Sequence, residues 1–317
     1  MKIAAVCALA LASIAVPTAR ADVFGSGANT LTLDFVNIGN AGNADDAGAG
    51  GGSYSSPYGG VSYGYRMGTY EISQDAITKA TAGGLASVTA GAWVGSQPAA
   101  NMTWFEAAAF VNWLNDHRTP GLKAYQLDVG LTTLTPWASE DAWQAGGENL
   151  YRHKEAYYFL PSEDEWYKAA YHQNTGVNAD YWDYATGSNS IPPAVASGTT
   201  AGTAVYNGAT SSPAAVTNDG GLSAYGTMGQ NGNVYEWAES AFDGINNSSS
   251  EVREIRGGFW FYPEGYLRSS YRISLSPTDS DGIIGFRVAS VPEPTSTGLM
   301  ISAGLLAIAR RRRRAAL

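Results

Sequence analysis

The stretch from residue 255 to residue 272, IRGGFWFYPEGYLRSSYR, gathers aromatic rings around one carboxylate. Trp260, Tyr262 and Tyr266 lie on either side of Glu264. Aromatic faces stack on the apolar surfaces of a ligand while a carboxylate orients its polar groups, which suits recognition of a glycan or a peptide. We predict that these four residues form a binding groove. The sequence shows no acid–base constellation that would make any of them catalytic.

The chain has little capacity for thiol or imidazole chemistry. Its only cysteine, Cys7, lies in the apolar N-terminal segment. A mature protein without that segment has no disulfide, thiolate metal site or cysteine nucleophile. The three histidines, His117, His153 and His172, do not have the i, i+4 spacing of a helical metal pair. A metal site assembled from distant residues stays open as an alternative.

The first 21 residues are typical of a secretory signal peptide. Lys2 precedes an apolar run over residues 3–16, and residues 19–21 supply a small-x-small cleavage pattern. The pattern predicts export and cleavage after Ala21. A membrane-spanning anchor is the less favoured alternative, because the run is shorter than the roughly 20 residues that a bilayer span requires.

The last segment, residues 291–317, has three parts in order: a Pro-Glu-Pro motif, an apolar stretch over residues 298–309 and five arginines at 310–314. Arginines beside an apolar segment stay cytoplasmic, so the segment reads as a short stop-transfer sequence. It resembles the PEP-CTERM sorting signal of exported Gram-negative proteins. The resemblance implies transient inner-membrane anchoring, recognition by an exosortase-type protease, and a final place in the periplasm, on the outer surface or in the extracellular matrix. An ordinary C-terminal anchor is the alternative.

Residues 22–290 remain as the predicted mature domain, and they are strongly acidic. The whole chain has 19 basic and 28 acidic residues, of which seven basic and one acidic lie in the two end segments, so the domain has a net charge of −15. This charge argues against nucleic acid or anionic lipid as a partner. A domain of this length is large enough for one hydrophobic core.

Two helix starts can be read directly from the residue spacing. Thr103 is followed three residues later by Glu106, and Ser162 by Glu165. Each pair has the spacing of a capping box, in which the two residues satisfy each other's free backbone N–H groups. We predict one helix after each box.

The rest of the chain favours short strands and loops. Residues 31–36 and 61–72 have strand-like patterns, and the Gly-, Ser- and Asn-rich residues 36–64 predict a long loop or a flexible linker between them. The region beyond residue 171 is turns and polar loops. The sequence therefore predicts an irregular α+β domain with two helices, many short strands and about a fifth of its residues in helix, below the usual third.

Several segments, taken together and in order, resemble the formylglycine-generating enzyme or sulfatase-modifying factor family. The resemblance covers about residues 65–290 and implies a variant of the C-type-lectin-like fold, a compact α+β domain with few helices and long loops. The segments are MGTYEIS at 67–73, NMTWFEAAAFVNWLN at 101–115, FLPSEDEWYKAA at 159–170, GNVYEWAES at 232–240, IRGGFW at 255–260, LRSSYR at 267–272 and IGFRVAS at 284–290.

The resemblance also shows where this chain departs from the enzyme. The copper-binding cysteines of the family align with Tyr262 and Leu267, so no copper and no formylglycine-generating oxidase activity are expected. What remains is a non-catalytic, lectin-like binding module of the cell envelope or extracellular matrix. The alternative is a metal-dependent oxidoreductase of the non-haem iron type with ligands that the sequence does not identify.

The family binds calcium around its GN-x-x-EW segment, and the resemblance carries that site onto this chain. The carbonyl oxygens of Gly232 and Val234 and the carboxylate of Glu236 would be the ligands, and hard oxygen donors of this kind suit Ca²⁺. A side-chain oxygen expected three residues before Gly232 falls on Gly229, which has none.

Three arginines, Arg268, Arg272 and Arg287, lie among aromatic and apolar residues. Guanidinium groups in such surroundings are usually held by carboxylates or stacked on rings. Glu236 and Glu239 are their candidate partners. For Glu236, the alternative to calcium is therefore an ion pair with a core arginine.

Overall fold

The computed structural model describes residues 20–48, 57–86, 88, 91–246 and 248–292. Residues 1–19 of the predicted signal peptide and residues 293–317 of the predicted tail lie outside the described residues, whereas residues 20 and 21 of the predicted signal peptide belong to the first strand. No helix within the described part is both long and apolar enough to span a bilayer.

Within these residues the chain forms three α-helices, α1 (Gln74–Ala82), α2 (Trp104–Arg118) and α3 (Glu163–Tyr171). Both predicted capping boxes are confirmed. In α2, the Glu106 amide donates to Thr103 Oγ1 at 3.1 Å, and the Thr103 amide donates to Glu106 Oε2 at 2.8 Å. In α3, the Glu165 amide donates to Ser162 Oγ at 3.2 Å, and the Ser162 amide donates to Glu165 Oε2 at 2.6 Å.

Helix α1 was not predicted, and the strand predicted over residues 61–72 is wrong in its length. Only Tyr65–Gly68 is a strand, and the chain then turns into α1 with Ser73 as its cap. The helix includes β-branched Ile77 and Thr78, which have modest helix propensity. It is stabilised instead by tertiary burial of its inner face. The three helices hold 9, 15 and 9 residues, well below the predicted fifth of the chain.

The strands are short, as predicted, and the one expected at residues 31–36 is confirmed by a slightly longer strand. Thirteen are present in the described part of the chain: β1 (Arg20–Phe24), β2 (Leu31–Ile38), β3 (Tyr65–Gly68), β4 (Gln126–Leu127), β5 (Leu134–Thr135), β6 (Ala142–Trp143), β7 (Asn149–His153), β8 (Tyr158–Phe159), β9 (Tyr235–Ala241), β10 (Arg253–Arg256), β11 (Ile273–Leu275), β12 (Ile284–Gly285) and β13 (Ala289–Ser290).

Two sheets organise the domain. The first has the order β1-β2-β3-β13-β8 and is antiparallel throughout. It contains both the first strand, β1, and the last strand, β13. The second has the order β11-β10-β9-β12, with β12 parallel to β9. Two further hairpins, β4–β5 and β6–β7, extend from this body.

Helix α2 lies in the hydrophobic core, where Trp104, Phe110, Val111 and Leu114 are fully buried. The interior also holds guanidinium groups, each at most 2 % exposed: Arg66, Arg152, Arg253, Arg256 and Arg287. Buried charges are costly unless they are paired and hydrogen-bonded. Carboxylates pair with Arg66, Arg152, Arg256 and Arg287 and so help to fix how the helices and sheets meet. Arg253 donates instead to the Glu239 carbonyl oxygen and to Asn246 Oδ1.

Candidate functional site

Two glycines position the predicted groove. After β10 the chain turns through Gly257 and Gly258, whose φ angles are +99° and +78°. A Cβ at residue 257 would lie 3.3 Å from the Trp166 ring, and one at residue 258 would lie 3.1 Å from the Tyr266 carbonyl oxygen. Glycine satisfies both the positive φ and the close approach. The turn directs the segment that follows across the start of β9.

The four predicted groove residues lie on this one turn. Tyr262 packs against Tyr266 with ring centroids 4.6 Å apart, and Trp260 meets Trp93 edge-on at 5.2 Å. Glu264 is half-buried in a short 3₁₀ turn between the tyrosines. We call residues 259–266 the aromatic surface.

The four predicted groove residues differ in how far they are exposed to solvent. Trp260 is only 8 % exposed and supports the turn from below, whereas Tyr262 is 39 % exposed. Phe261, which the sequence analysis did not select, is the most open ring at 62 %. Nothing in its sequence context distinguishes it from its buried neighbours. The accessible faces are therefore those of Phe261 and Tyr262.

Backbone hydrogen bonds hold the aromatic surface in place. The amides of Asn207 and Gly208 donate to the carbonyl oxygens of Tyr262 and Trp260, both at 2.9 Å. The Trp260 amide donates to the Asn233 carbonyl oxygen at 3.0 Å. A ring surface with a fixed backbone loses little conformational freedom when a ligand binds.

The candidate calcium ligand Glu236 is fully buried and already engaged. Its carboxylate accepts hydrogen bonds from Arg287 Nε and Nη2, both at 2.6 Å, and from Trp166 Nε1 at 2.7 Å. The ion pair with a core arginine, the alternative considered from the sequence, is thus present. Gly232 and Val234 lie at the turn into β9, but the carboxylate expected to complete their site is occupied by the guanidinium group.

A second pair of carboxylates lies beside this ion pair. Both oxygens of Asp219 are buried without a hydrogen-bond partner among the described residues. Gly229 leaves room for them, since a Cβ at residue 229 would lie 2.6 Å from Asp219 Oδ2 and 3.2 Å from Glu71 Cδ. Burial raises the pKa of Asp219 to about 7, and burial together with the charge on Asp219 raises the pKa of Glu71 well above its usual range.

The histidines lie in separate aromatic surroundings. His117 packs on Trp113 with ring centroids 4.0 Å apart. His172 is fully buried beside Tyr225, and burial lowers its pKa to about 4. His153 packs edge-on to a tryptophan of a neighbouring loop. Within the described ranges, no three His, Cys, Asp or Glu side chains are grouped so as to hold a metal ion.

Comparison with known families agrees with this architecture. Residues 61–291 match the sulfatase-modifying factor enzyme 1-like domain. The chain belongs to this family. Its only cysteine, Cys7, lies outside the matched region. Of the two residues that the resemblance aligns with the family's cysteines, Tyr262 lies on the aromatic surface and Leu267 is fully buried. Residues 290–314 match the PEP-CTERM protein-sorting motif, which implies export and recognition by an exosortase sorting system. No curated protein matches the chain.

Solved structures confirm the predicted fold class, an irregular α+β domain of the C-type-lectin-like kind. Treponema denticola variable protein 1 is similar over 87 % of this chain and 100 % of its own, with 22 % identity and a TM-score of 0.58. A structure named CarF covers 82 % and 99 %, with 19 % identity and a TM-score of 0.55. PvdO from Pseudomonas aeruginosa covers 86 % and 98 %, with 17 % identity and a TM-score of 0.51. At these identities the likeness concerns the fold alone.

Proposed function

We propose that this exported family member is a non-catalytic binding module that holds a glycan or a peptide on its aromatic surface. The observation that carries the proposal is the exposure of Phe261 and Tyr262 on a turn whose backbone is held by hydrogen bonds. One of these rings, Tyr262, is the residue that the resemblance aligns with a cysteine of the family's enzymes. The position that would do thiol chemistry presents an apolar face instead.

The chemistry of the surface suits a ligand with both apolar faces and polar edges. Phe261 and Tyr262 offer ring faces for stacking, and the Tyr262 hydroxyl and the Glu264 carboxylate offer hydrogen bonds. Tyrosine is one of the residue types that are enriched at binding hot spots. An iron-dependent oxidoreductase, the alternative function, has no cluster of ligands within the described residues to support it.

The test is a glycan and peptide binding screen of the purified exported protein and of two variants. Tyr262→Ala should weaken binding at least tenfold with folding intact, and Val129→Ala, which changes a 95 % exposed residue of a distant loop, should not. Because Trp260 is buried, Tyr262 is the sharper probe. Turnover of a substrate, or a stoichiometric redox metal in the purified protein, would refute the proposal.

We further propose calcium as the cation of the buried acidic cluster, with Asp219 and Glu71 as carboxylate donors in place of Glu236. Two carboxylates and neighbouring backbone carbonyls are a hard oxygen set of the kind that calcium takes. The unpartnered oxygens of Asp219 beside Gly229 support the assignment. Asp219 would then supply, from another loop, the oxygen that residue 229 lacks.

Elemental analysis and thermal melting with calcium or chelator test this second proposal. A cation that binds only the folded state raises the melting temperature, and the increase grows with the logarithm of its concentration above Kd. Calcium should therefore stabilise the protein, and Asp219→Asn should abolish the response. A response that survives in Asp219→Asn, or no calcium response in the unaltered protein, would rule out this site.

A further inference from the structure

A second cleft lies at the opposite end of β9 from the aromatic surface. Tyr235, at the start of the strand, packs on Phe259 of the aromatic surface at 5.6 Å, whereas Glu239 and Ser240, near its end, line the cleft. Four to five residues separate these points, about 14–17 Å along a strand. We call this the polar cleft. Its walls are residues 60–63, the β6–β7 hairpin at residues 143–149 and the start of α3.

The polar cleft has the size of a small-ligand site. Its volume is about 330 Å³, at the lower end of the range of about 300–1,000 Å³ that such sites have. A cleft of this size suits a short saccharide or a single side chain. It is too small to hold a folded partner.

One wall is aromatic. Trp143 and Tyr63 are half-buried and meet edge-on with ring centroids 5.8 Å apart. Trp143 Nε1 donates to the Ala145 carbonyl oxygen at 2.8 Å, which fixes the indole. Gly146 leaves space beside Tyr63, since a Cβ there would lie 3.1 Å from the ring. These rings provide faces on which a sugar ring stacks and to which a cation is attracted.

The floor is charged, and the guanidinium of Arg152, which lines it, is fully hydrogen-bonded. Arg152 lies between Glu239 and Glu165, with Nη2 at 2.6 Å and 2.9 Å from their carboxylate oxygens. Tyr63 Oη donates to Glu165 Oε1 at 2.7 Å, and Asn149 Nδ2 donates to Glu239 Oε2 at 2.6 Å. Arg253 is a second cation beside the floor, since its guanidinium donates to the Glu239 carbonyl oxygen and to Asn246 Oδ1. Four carboxylates, those of Glu239, Glu165, Asp164 and Glu148, line or underlie the cleft against these two guanidinium groups, so the cleft keeps a net negative charge.

Asp164 adds a carboxylate that is not saturated. Its Oδ1 accepts a hydrogen bond from the Gly59 amide at 2.9 Å, while Oδ2 makes none with the described residues. Asn246 lines the same cleft, and its Nδ2 likewise makes no hydrogen bond there, because its bonds to Ala241 and Arg253 both use Oδ1. An acceptor and a donor therefore remain available beside the aromatic wall.

We propose that the polar cleft binds an amino sugar, with the sugar ring stacked on Trp143 and its ammonium group held by Asp164. Stacking needs the apolar face of a pyranose ring, and the free carboxylate and negative floor favour a cationic substituent over a neutral or acidic one. Asn246 and the hydroxyl of Ser240 lie where they can bond the sugar hydroxyls. The net charge of −15 on the predicted mature domain favours the approach of a polymer of such sugars.

Isothermal titration of the purified exported protein at pH 7 tests the proposal with a glucosamine trisaccharide as the probe. Asp164→Asn keeps the shape of the side chain and should weaken binding at least tenfold, as should Trp143→Ala. Lys154→Met is the matched control, because it removes an exposed charge just beyond β7 and outside the cleft. Its affinity should equal that of the unaltered protein.

The outcomes separate this proposal from the one for the aromatic surface. Equal affinity for the N-acetylated trisaccharide, or for oligolysine, would overturn the assignment to an amino sugar. Loss of binding in Tyr262→Ala with retention in Asp164→Asn would place the sugar on the aromatic surface and refute the cleft as its site. A failed screen at the aromatic surface leaves the titration at the cleft unaffected.

Discussion

The candidate binding surfaces at the two ends of β9 are held in place by different interactions. At the Tyr235 end, rings packed one against the next carry the outermost ones into solvent, and the ion pair of neighbouring Glu236 with Arg287 takes no part in these ring contacts. At the Glu239 end, the rings stand over a buried network of one arginine and two glutamates. The aromatic end depends on shape and backbone hydrogen bonds. The polar end depends on charges that are stable only as a set.

The two ends therefore differ in which side chains can be substituted without unfolding the domain. A ring that is 39 % exposed contributes little to the core and is accessible to a ligand, whereas a fully buried glutamate contributes mainly to the fold. Function and stability are therefore separable at the aromatic surface through Tyr262. At the polar cleft they are separable only through groups that the network leaves free, such as Asp164. The following predictions sharpen or break this comparison.

The largest effect is expected from Arg152→Met. It leaves Glu165 and Glu239 buried without their cation, and breaking a buried pair in this way costs about 3–5 kcal/mol. Urea unfolding should show this loss, with Lys154→Met as the control, since exposed pairs contribute about 0–1 kcal/mol. A loss in Arg152→Met as small as that in the control would show that the network does not stabilise the polar end.

Asp164→Asn should raise stability at pH 8. Burial raises the pKa of Asp164 to about 7, with added repulsion from Glu163, Asp45 and Glu165. The folded state therefore binds more protons than the unfolded state between about pH 4 and 7, and its stability falls as the pH rises through that window. A shift of this size corresponds to about 4 kcal/mol, of which we expect roughly half because the cleft is open to water.

The measurement for Asp164→Asn is the free energy of unfolding at pH 4 and at pH 8. The variant should gain about 2 kcal/mol over the unaltered protein at pH 8 and almost nothing at pH 4, where Asp164 is protonated in the folded state. A gain of the same size at both pH values would mean that the ionised carboxylate is not what limits stability.

Trp260→Phe should lower stability by about 1–2 kcal/mol, because a benzene ring leaves part of the buried indole volume empty. The edge-on contact with Trp93 also becomes smaller. Thermal melting measures the loss. Affinity for a ligand of the aromatic surface should change less than in Tyr262→Ala, and the reverse order would show that Trp260 contacts the ligand itself.

Tyr262→Ala should have the smallest effect on stability, below about 1 kcal/mol, since substitutions at partly exposed positions away from buried networks rarely cost more. Its melting curve should nearly overlay that of the unaltered protein. A large loss would show that the aromatic surface, like the polar end, cannot lose a side chain without loss of the fold.

The sequence predicts those features whose residues are neighbours in the chain. Thr103 with Glu106 and Ser162 with Glu165 specify their helix starts within four residues, and both were found. The turn at residues 260–266 also lies in one continuous stretch, so the four residues predicted to form the groove lie on the same turn. The burial of each of these residues could not be predicted, because the exposure of Phe261 and the burial of Trp260 depend on segments far away in the sequence.

The polar cleft shows why the remaining features could not be predicted from the sequence. Arg152 bonds to Glu239, 87 residues later, and Tyr63 bonds to Glu165, 102 residues later. In the sequence, Asp164 is one acidic residue in the first turn of a helix, where such residues are expected in any case. The position of the Asp219 carboxylate could not be predicted from the sequence either, because only the fold brings it beside Gly229.

The closing strand of the fold has a mechanical consequence. The sorting motif begins at residue 290, within β13, and the Val291 amide still donates to the Tyr157 carbonyl oxygen at 2.9 Å. Ser290 Oγ accepts a hydrogen bond from Arg66 Nε at 2.9 Å, and Arg66 forms an ion pair with Asp22 of the first strand. A force applied at residue 292 would therefore pass directly into a strand that is paired on both sides, and the hydrogen bonds of the sheet would resist it.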